Sequence, residues 1–208
     1  HYNVYGVESS HQEIAHGGLT WTPLRKLKLS ARASYNNRKY HQQYVNTLRG
    51  ETETLFLTGH IDQQTTSLTL RGEVFINAEL SIQYYGSPYY SVGKYDRFGS
   101  VNQARSEDFS QRFHSLDVSY DESTNFYSFD LNGASWSFHN PDFSFMQFRS
   151  NLVLRWEYKL GSTLYFVWAH DKSGWESLYN PISDITGDLM GIQGNNVFMF
   201  KLNFWFSV

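Results

Sequence analysis

Cysteine is absent from the 208 residues, which excludes disulfide staples and thiolate metal sites and is compatible with an oxidising compartment. Long apolar runs are missing too. The longest, Leu164 to Ala169, falls far short of the roughly 20 residues that a spanning helix needs. Charge is scarce: Asp, Glu, Lys and Arg make up 18% of the chain, against about a quarter in soluble domains. The net charge of -3 comes with no basic stripe, so nucleic acid is not an expected partner.

Catalytic signatures are equally sparse. The eight histidines show no His-x-His or His-Glu-x-x-His spacing, and His11 and His16 lie in a segment without clear periodicity, so no metal is expected. The adjacent acids Glu107-Asp108 and Asp121-Glu122 sit in turn-rich sequence and point in different directions, unlike the facing carboxylates of a glycosidase. No Gly-x-Ser-x-Gly, phosphate-binding loop or dinucleotide fingerprint occurs. The sequence argues for no enzyme and no cofactor.

What is abundant is aromatic: 15 Tyr, 16 Phe and 6 Trp, or 18% of residues. The mean hydropathy of -0.50 excludes a helical membrane protein but not a β-barrel, whose lumen-facing half is polar. Near the end, Val197 to Phe206 reads V-F-M-F-K-L-N-F-W-F, with Phe198, Phe200, Leu202, Phe204 and Phe206 on one face and Lys201 and Asn203 on the other. Such a period of two means a strand with one apolar face.

Segments of this kind recur from Leu24 onward, about ten in all, while residues 1–23 show no clear pattern. In the first, Leu27, Leu29, Ala31, Ala33 and Tyr35 oppose Lys26, Lys28, Ser30, Arg32 and Ser34. Weaker strands follow near 40–48 and 53–62. Thr66 to Ile76 then places Leu68, Leu70 and Val74 opposite Arg71 and Glu73, and Asn77-Ala78 leads into a strand with Leu80 and Ile82 outward. Short strands at 113–121 and 126–131 carry Asp117 and Asp130 on their polar faces. Phe145 to Tyr158 sets Leu152, Leu154 and Trp156 against Arg149, Arg155 and Glu157, with Val153 as the exception. After Lys159-Leu160-Gly161, Leu164, Phe166 and Trp168 continue the apolar stripe.

Between the strands lie three expected long loops, near 91–112, 132–144 and 171–196, the last with a helical turn around 184–190. The turns at 49–52, 77–78, 122–125 and 159–161 are short and, by alternation, fall on the opposite side, while two polar connections expected on the loop side, 36–39 and 63–65, are short as well, so the pattern is a tendency. Short turns on one side and long loops on the other are the asymmetry of outer-membrane barrels. The expected fold is therefore all-β: an antiparallel transmembrane β-barrel, or the C-terminal ten or so strands of a larger one. Lys201 and the polar-face charges already named would line the lumen and pair across strands. The apolar stripe would meet lipid.

The loops carry aromatic residues: Tyr89, Tyr90, Tyr95 and Phe98; then Trp136, Phe138, Phe143 and Phe145; then Trp175 and Tyr179. Their rings suit either a sugar face or the headgroup level of a membrane. Arg97, Arg105 and Arg112 are either solvated or placed to meet lipopolysaccharide phosphates.

Several stretches resemble the C-terminal part of a family of Bacteroidota outer-membrane proteins that join a family-9-type carbohydrate-binding module to a barrel domain of unknown function. The similarity lies in Asp62-Gln63-Gln64-Thr65-Thr66-Ser67-Leu68-Thr69-Leu70-Arg71, in Gln83-Tyr84-Tyr85-Gly86-Ser87-Pro88-Tyr89, in Gly93-Lys94-Tyr95 and in Asn140-Pro141-Asp142-Phe143. It returns in Phe148 to Tyr158, in Gly161-Ser162-Thr163-Leu164-Tyr165 and in Asn196 to Phe206. The resemblance implies that a sugar-binding module lies upstream of His1, where the chain opens without Met, as a processed chain or a piece of a longer one would. It implies a bacterial outer-membrane location and a non-enzymatic role: solute passage, anchoring of that module, or membership of a larger outer-membrane complex. Lipid, lipopolysaccharide, glycans and other outer-membrane proteins are the corresponding partners. Ser207-Val208 depart from the terminal aromatic of barrel assembly signals, a role that Phe206 would take. A secreted soluble β-sandwich that binds glycans is the alternative.

Overall fold

A computed structural model of the chain describes residues 2–7, 10–51 and 53–206; Ser207-Val208 lie outside the described residues. The fold is all-β and antiparallel. Its main sheet runs, in order, through β1 (Tyr2–Val7), β2 (Ser10–Leu24), β3 (Leu27–Arg49), β4 (Thr54–Phe75), β5 (Leu80–Val101), β10 (Phe143–Lys159), β11 (Ser162–Glu176) and β12 (Asn195–Asn203), with the short β6 (Phe113–Ser115) paired to β5. A separate three-stranded sheet holds β7 (Ser119–Asp121), β8 (Phe126–Leu131) and β9 (Ala134–His139). Two helices, α1 (Phe109–Arg112) and α2 (Ile182–Gly191), lie in the long connections. Among the described residues no helix is long and apolar enough to cross a membrane. Nor does the main sheet close on itself: β1 and β12 are its edges.

Tight turns define one end of the sheet. Arg25-Lys26 joins β2 to β3, Leu160-Gly161 joins β10 to β11 with Gly161 at φ 76°, and the Asn77 side chain accepts the Glu79 and Leu80 amides to fold 76–79. A φ of that sign suits glycine, which has no Cβ to clash. The other end carries the connection after Arg49, whose residue 52 lies outside the described residues, and residues 102–142 and 177–194.

Several expectations need correction. Residues 40–48 and 53–62 are not separate strands but the upper halves of β3 and β4, which run 23 and 22 residues without a break. The polar stretches that suggested loops are laddered strand: Gln12 Nε2 donates to Asn36 Oδ1, Arg38 Nη2 to Gln63 Oε1, and Lys39 pairs with Asp62 at 3.0 Å. The turn at 49–52 consequently falls at the long-connection end, and 122–125 lies inside the 102–142 excursion. The first half of the expected loop 91–112 is β5, the segment 132–144 holds β9, and 171–176 extends β11. Residues 10–23, without legible periodicity, form most of β2, whose two faces are alike in polarity over its first half.

The small sheet roofs the long-connection end over β3 to β5. Leu55, Leu57 and Phe98 from the main sheet pack with Leu116, Phe129 and Phe138. Asn132 and Gly133, both at positive φ, make the two-residue hairpin that this dipeptide favours. Trp136 of β9 lies over Gly50. Phe98 reaches this core because β5 bulges at Arg97 (φ 49°): Tyr95 opposes Ile61, but Ser100 opposes Leu57, so one extra residue shifts the side-chain alternation. A second cluster seats α2 on the sheet through Ile185 and Leu189 against Val92 and Met146.

Leu57 is completely buried, so Leu57→Ala is expected to cost the roof about 2–5 kcal/mol. Limited proteolysis read by mass spectrometry checks this: cleavage within 102–142 should accelerate while β10 to β12 stay protected.

Candidate functional site

Cross-strand register turns the alternation of single strands into two continuous faces. On one, Trp21, Leu29, Gly72, Tyr84, Leu152, Trp168 and Phe198 oppose one another in a row across seven strands. The next row holds Val74, Ile82, Leu154, Phe166 and Phe200, and the row nearest the tight turns holds Leu80, Trp156, Leu164 and Leu202. Leu68 and Leu70 extend the face upward in β4. Not one of these side chains is buried, and Leu70, Trp156, Phe198, Phe200 and Leu202 are exposed. Phe204 and Phe206, expected on this strand, follow its end at Asn203; their rings lie 6.1 Å apart.

The apolar stretch is a band with limits. Along β4 and the residue that follows it, the band runs from Leu68 to Ile76, about 27 Å at roughly 3.4 Å per residue. Above it the same face turns polar at the sides, where Lys39, Asp62 and Lys94 oppose one another and His170 binds Asn196 at 3.0 Å, which also accepts the Trp168 indole N–H at 2.8 Å; between them Tyr90, Val92 and Met146 stay apolar, with α2 packed on Val92 and Met146.

The opposite face carries most of the charged and amide side chains, although Val153, Val167 and Met199 form an apolar row on it across β10 to β12. Lys28, Arg71 and Glu73 line a hollow of about 510 Å³ with Gln83, Tyr85 and Asn151; Arg32 and Arg71 border a second of about 780 Å³. Gln83 donates to Glu73 at 2.8 Å, Arg155 to Glu157 at 2.9 Å, Arg71 lies over the Tyr85 ring and Lys201 near that of Tyr165. Arg149 stands opposite Ser87 and Asp171. Three expected members are elsewhere. Lys26 sits in a tight turn and donates to the Ile76 carbonyl, while Asp117, in the link between β6 and β7, and Asp130, in β8, lie beside Ser135 at the roof. The expected strand 113–121 is two short strands in different sheets, and only the pairing partners of β7 and β8 reveal the second sheet.

The loop aromatics divide. Phe98 and Phe138 are buried and Trp136 partly so, under the roof. Phe143, Phe145 and Trp175 instead share the polar face, with Phe143 and Trp175 stacked at 5.2 Å and 9°. Nothing in the sequence pairs Phe143 with Trp175, because the contact arises from the β10–β11 register.

Titratable clusters gather at the upper end. His60 Nδ1 lies 2.6 Å from Asp96 Oδ1 and 2.7 Å from an Arg97 guanidinium nitrogen. Burial opposes the Asp96 charge, yet the hydrogen bonds from His60 and Arg97 outweigh it and hold the carboxyl below its ordinary value. Burial, then the nearby His60 and Arg97, lowers His41, whose ring lies 4.7 Å from that of His60. Among the described residues no group of three or more ligands could hold a metal.

Asp142 fixes the entry to β10 by accepting the Tyr95 amide at 2.6 Å. Burial pushes its carboxyl above the ordinary value, against the pull of that amide and of Lys94. The folded chain therefore holds this proton more tightly than the unfolded chain. Stability from this group falls as pH rises from the ordinary carboxyl value through the raised one, then levels off. Asp142→Asn retains an acceptor for Tyr95 and is expected to flatten that slope, as denaturant titrations of both proteins between about pH 4 and 8 will register.

Comparison of the chain with protein-family models, curated proteins and solved structures finds no match in any of the three.

Proposed function

We propose that this chain forms an arc of a non-enzymatic transmembrane β-barrel in a bacterial outer membrane, with its apolar face in lipid and its polar face on a watery lumen. The observation that carries the reading is the exposed apolar band, continuous over seven strands, with polar groups above it on β3, β4, β11 and β12 and α2 above it on β5 and β10. A band about 27 Å long on tilted strands suits the roughly 25 Å apolar belt of such barrels. Backbone chemistry supports it as well, since only strands paired on both sides keep every N–H and C=O satisfied in hydrocarbon. In this reading β1 and β12 meet further strands of the complete wall.

The tight turns face the periplasm, and the roof and α2 face outside. Lys39, Lys94 and Lys172 stand just above the band on the lipid side, where anionic lipopolysaccharide headgroups would lie. Arg97 and Arg112 are less suited to that task, being engaged with Asp96 and His60 and with the Ser106 carbonyl. The lumen wall carries both signs of charge, an arrangement suited to passage or retention of a polar solute.

A soluble glycan-binding sandwich finds less support. It would need a second sheet on the apolar face, whereas the roof packs with Leu55 and Leu57, which follow the polar-face alternation of β4.

Charge substitutions on the two faces discriminate. Leu154→Arg and Phe166→Arg, which oppose each other mid-band, are each expected to cost about 2–4 kcal/mol and to abolish vesicle insertion and heat-modifiable gel mobility. Asn151→Arg on the polar face should preserve both. Equal tolerance on the two faces would sink the lipid reading.

A further inference from the structure

The upper polar face holds an aromatic surface that barrel closure does not require. Trp175 is 62% exposed and stacks flat on Phe143, with Phe145 6.0 Å from it and Tyr89 6.0 Å beyond. These rings stand on the wetter of the two faces, where an exposed aromatic patch is the less expected feature. They are also held in place. A Cβ at Gly93 would come within 2.4 Å of Phe143, so glycine lets that ring lie against the sheet. Asp142 anchors the backbone before it. The chain leaving Trp175 is tied down by Ser144, whose hydroxyl donates to the Leu178 carbonyl and accepts the Asn180 amide. The roof packs over β3 to β5 and touches this side where Asn125 donates to the Ser177 carbonyl, leaving Trp175 itself exposed.

Directly beneath the rings, the register supplies planar hydrogen-bonding groups. One row down are Gln147, Ser173 and Tyr89; about 7 Å lower are Arg149 and Asp171, facing each other. Arg149 and Asp171 are both exposed, and their charges offset each other.

We infer that this sector is a binding site for a neutral oligosaccharide. A pyranose ring offers an apolar C–H face that matches an aromatic platform and a rim of hydroxyls that matches amide, guanidinium and carboxylate edges. An acidic chain would meet Asp171 unfavourably. A basic one would meet Arg149. The site rests on the polar face being the wet one and names the solute class that the wall engages.

The test is titration of the full chain in detergent micelles with maltohexaose, cellohexaose and xylohexaose, followed by tryptophan fluorescence and calorimetry, with hexagalacturonate as the charged control. At least one neutral hexasaccharide should bind saturably. Trp175→Ala and Phe145→Ala should each weaken it tenfold or more, Gln147→Ala several-fold, and Trp175→Phe should restore most of the loss. Trp156→Phe, on the other face, should change nothing. Should Trp175→Ala fail to fold, Trp175→Leu keeps an apolar side chain while removing the ring, and the same loss is expected. Saturable binding of none of the three sugars, or undiminished binding by Trp175→Ala and Phe145→Ala, overturns the site. Vesicle insertion of the unmodified chain is scored separately: binding without insertion overturns the membrane reading alone, and insertion without binding overturns the sugar site alone.

Discussion

The backbone ladder is the constraint on which everything else depends. Each hydrogen-bonded register locks the alternation of one strand to that of its neighbour, because a slip of one residue would exchange the two faces. Seven strands kept in phase convert a local period of two into an apolar sheet on one side and a polar one on the other. Hydrophobic contact between neighbouring stripes, such as Leu154 with Phe166 and Phe166 with Phe200, follows from that pairing. These rows remain open to their surroundings, unlike the clusters under the roof and α2.

Within the band, the chemistry of side chains is simple and the sequence shows it. Leu68, Leu154 and Phe200 stand where alternation predicts, and the partition of charged residues onto the other face holds for Lys28, Arg71, Glu73 and Arg155. Above the band the rule loses its contrast. Both faces are polar there, so a strand such as 36–39 carries Asn, Arg and Lys in succession and reads as a loop. What keeps it extended is pairing with β2 and β4, which no local pattern records. Asn132-Gly133 is the opposite case. The dipeptide announces a hairpin on conformational grounds, and the small sheet could have been read from it.

The aromatic sector was the least legible. Phe143 and Trp175 are separated by a whole hairpin, and each looks like a loop residue in isolation. Their stacking depends on where the β10–β11 turn sets the register, on the missing Cβ at Gly93 and on the clamp by Asp142. Phe98 and Phe138, chemically identical to Phe143, finished in a buried core. Position in the ladder, and not residue type, separated the two fates.

Arg97 acts as a phase shifter. Below it β5 keeps the rhythm of the wall; beyond it the beat is displaced by one, and Phe98 lands beneath the roof instead of on the outer surface. A single left-handed residue thus lets one strand serve two compartments with opposite requirements. Removing that extra residue would leave the lower part of the sheet in step and turn the roof's anchor outward, so the packing of the roof is set apart from that of the main sheet at one peptide unit.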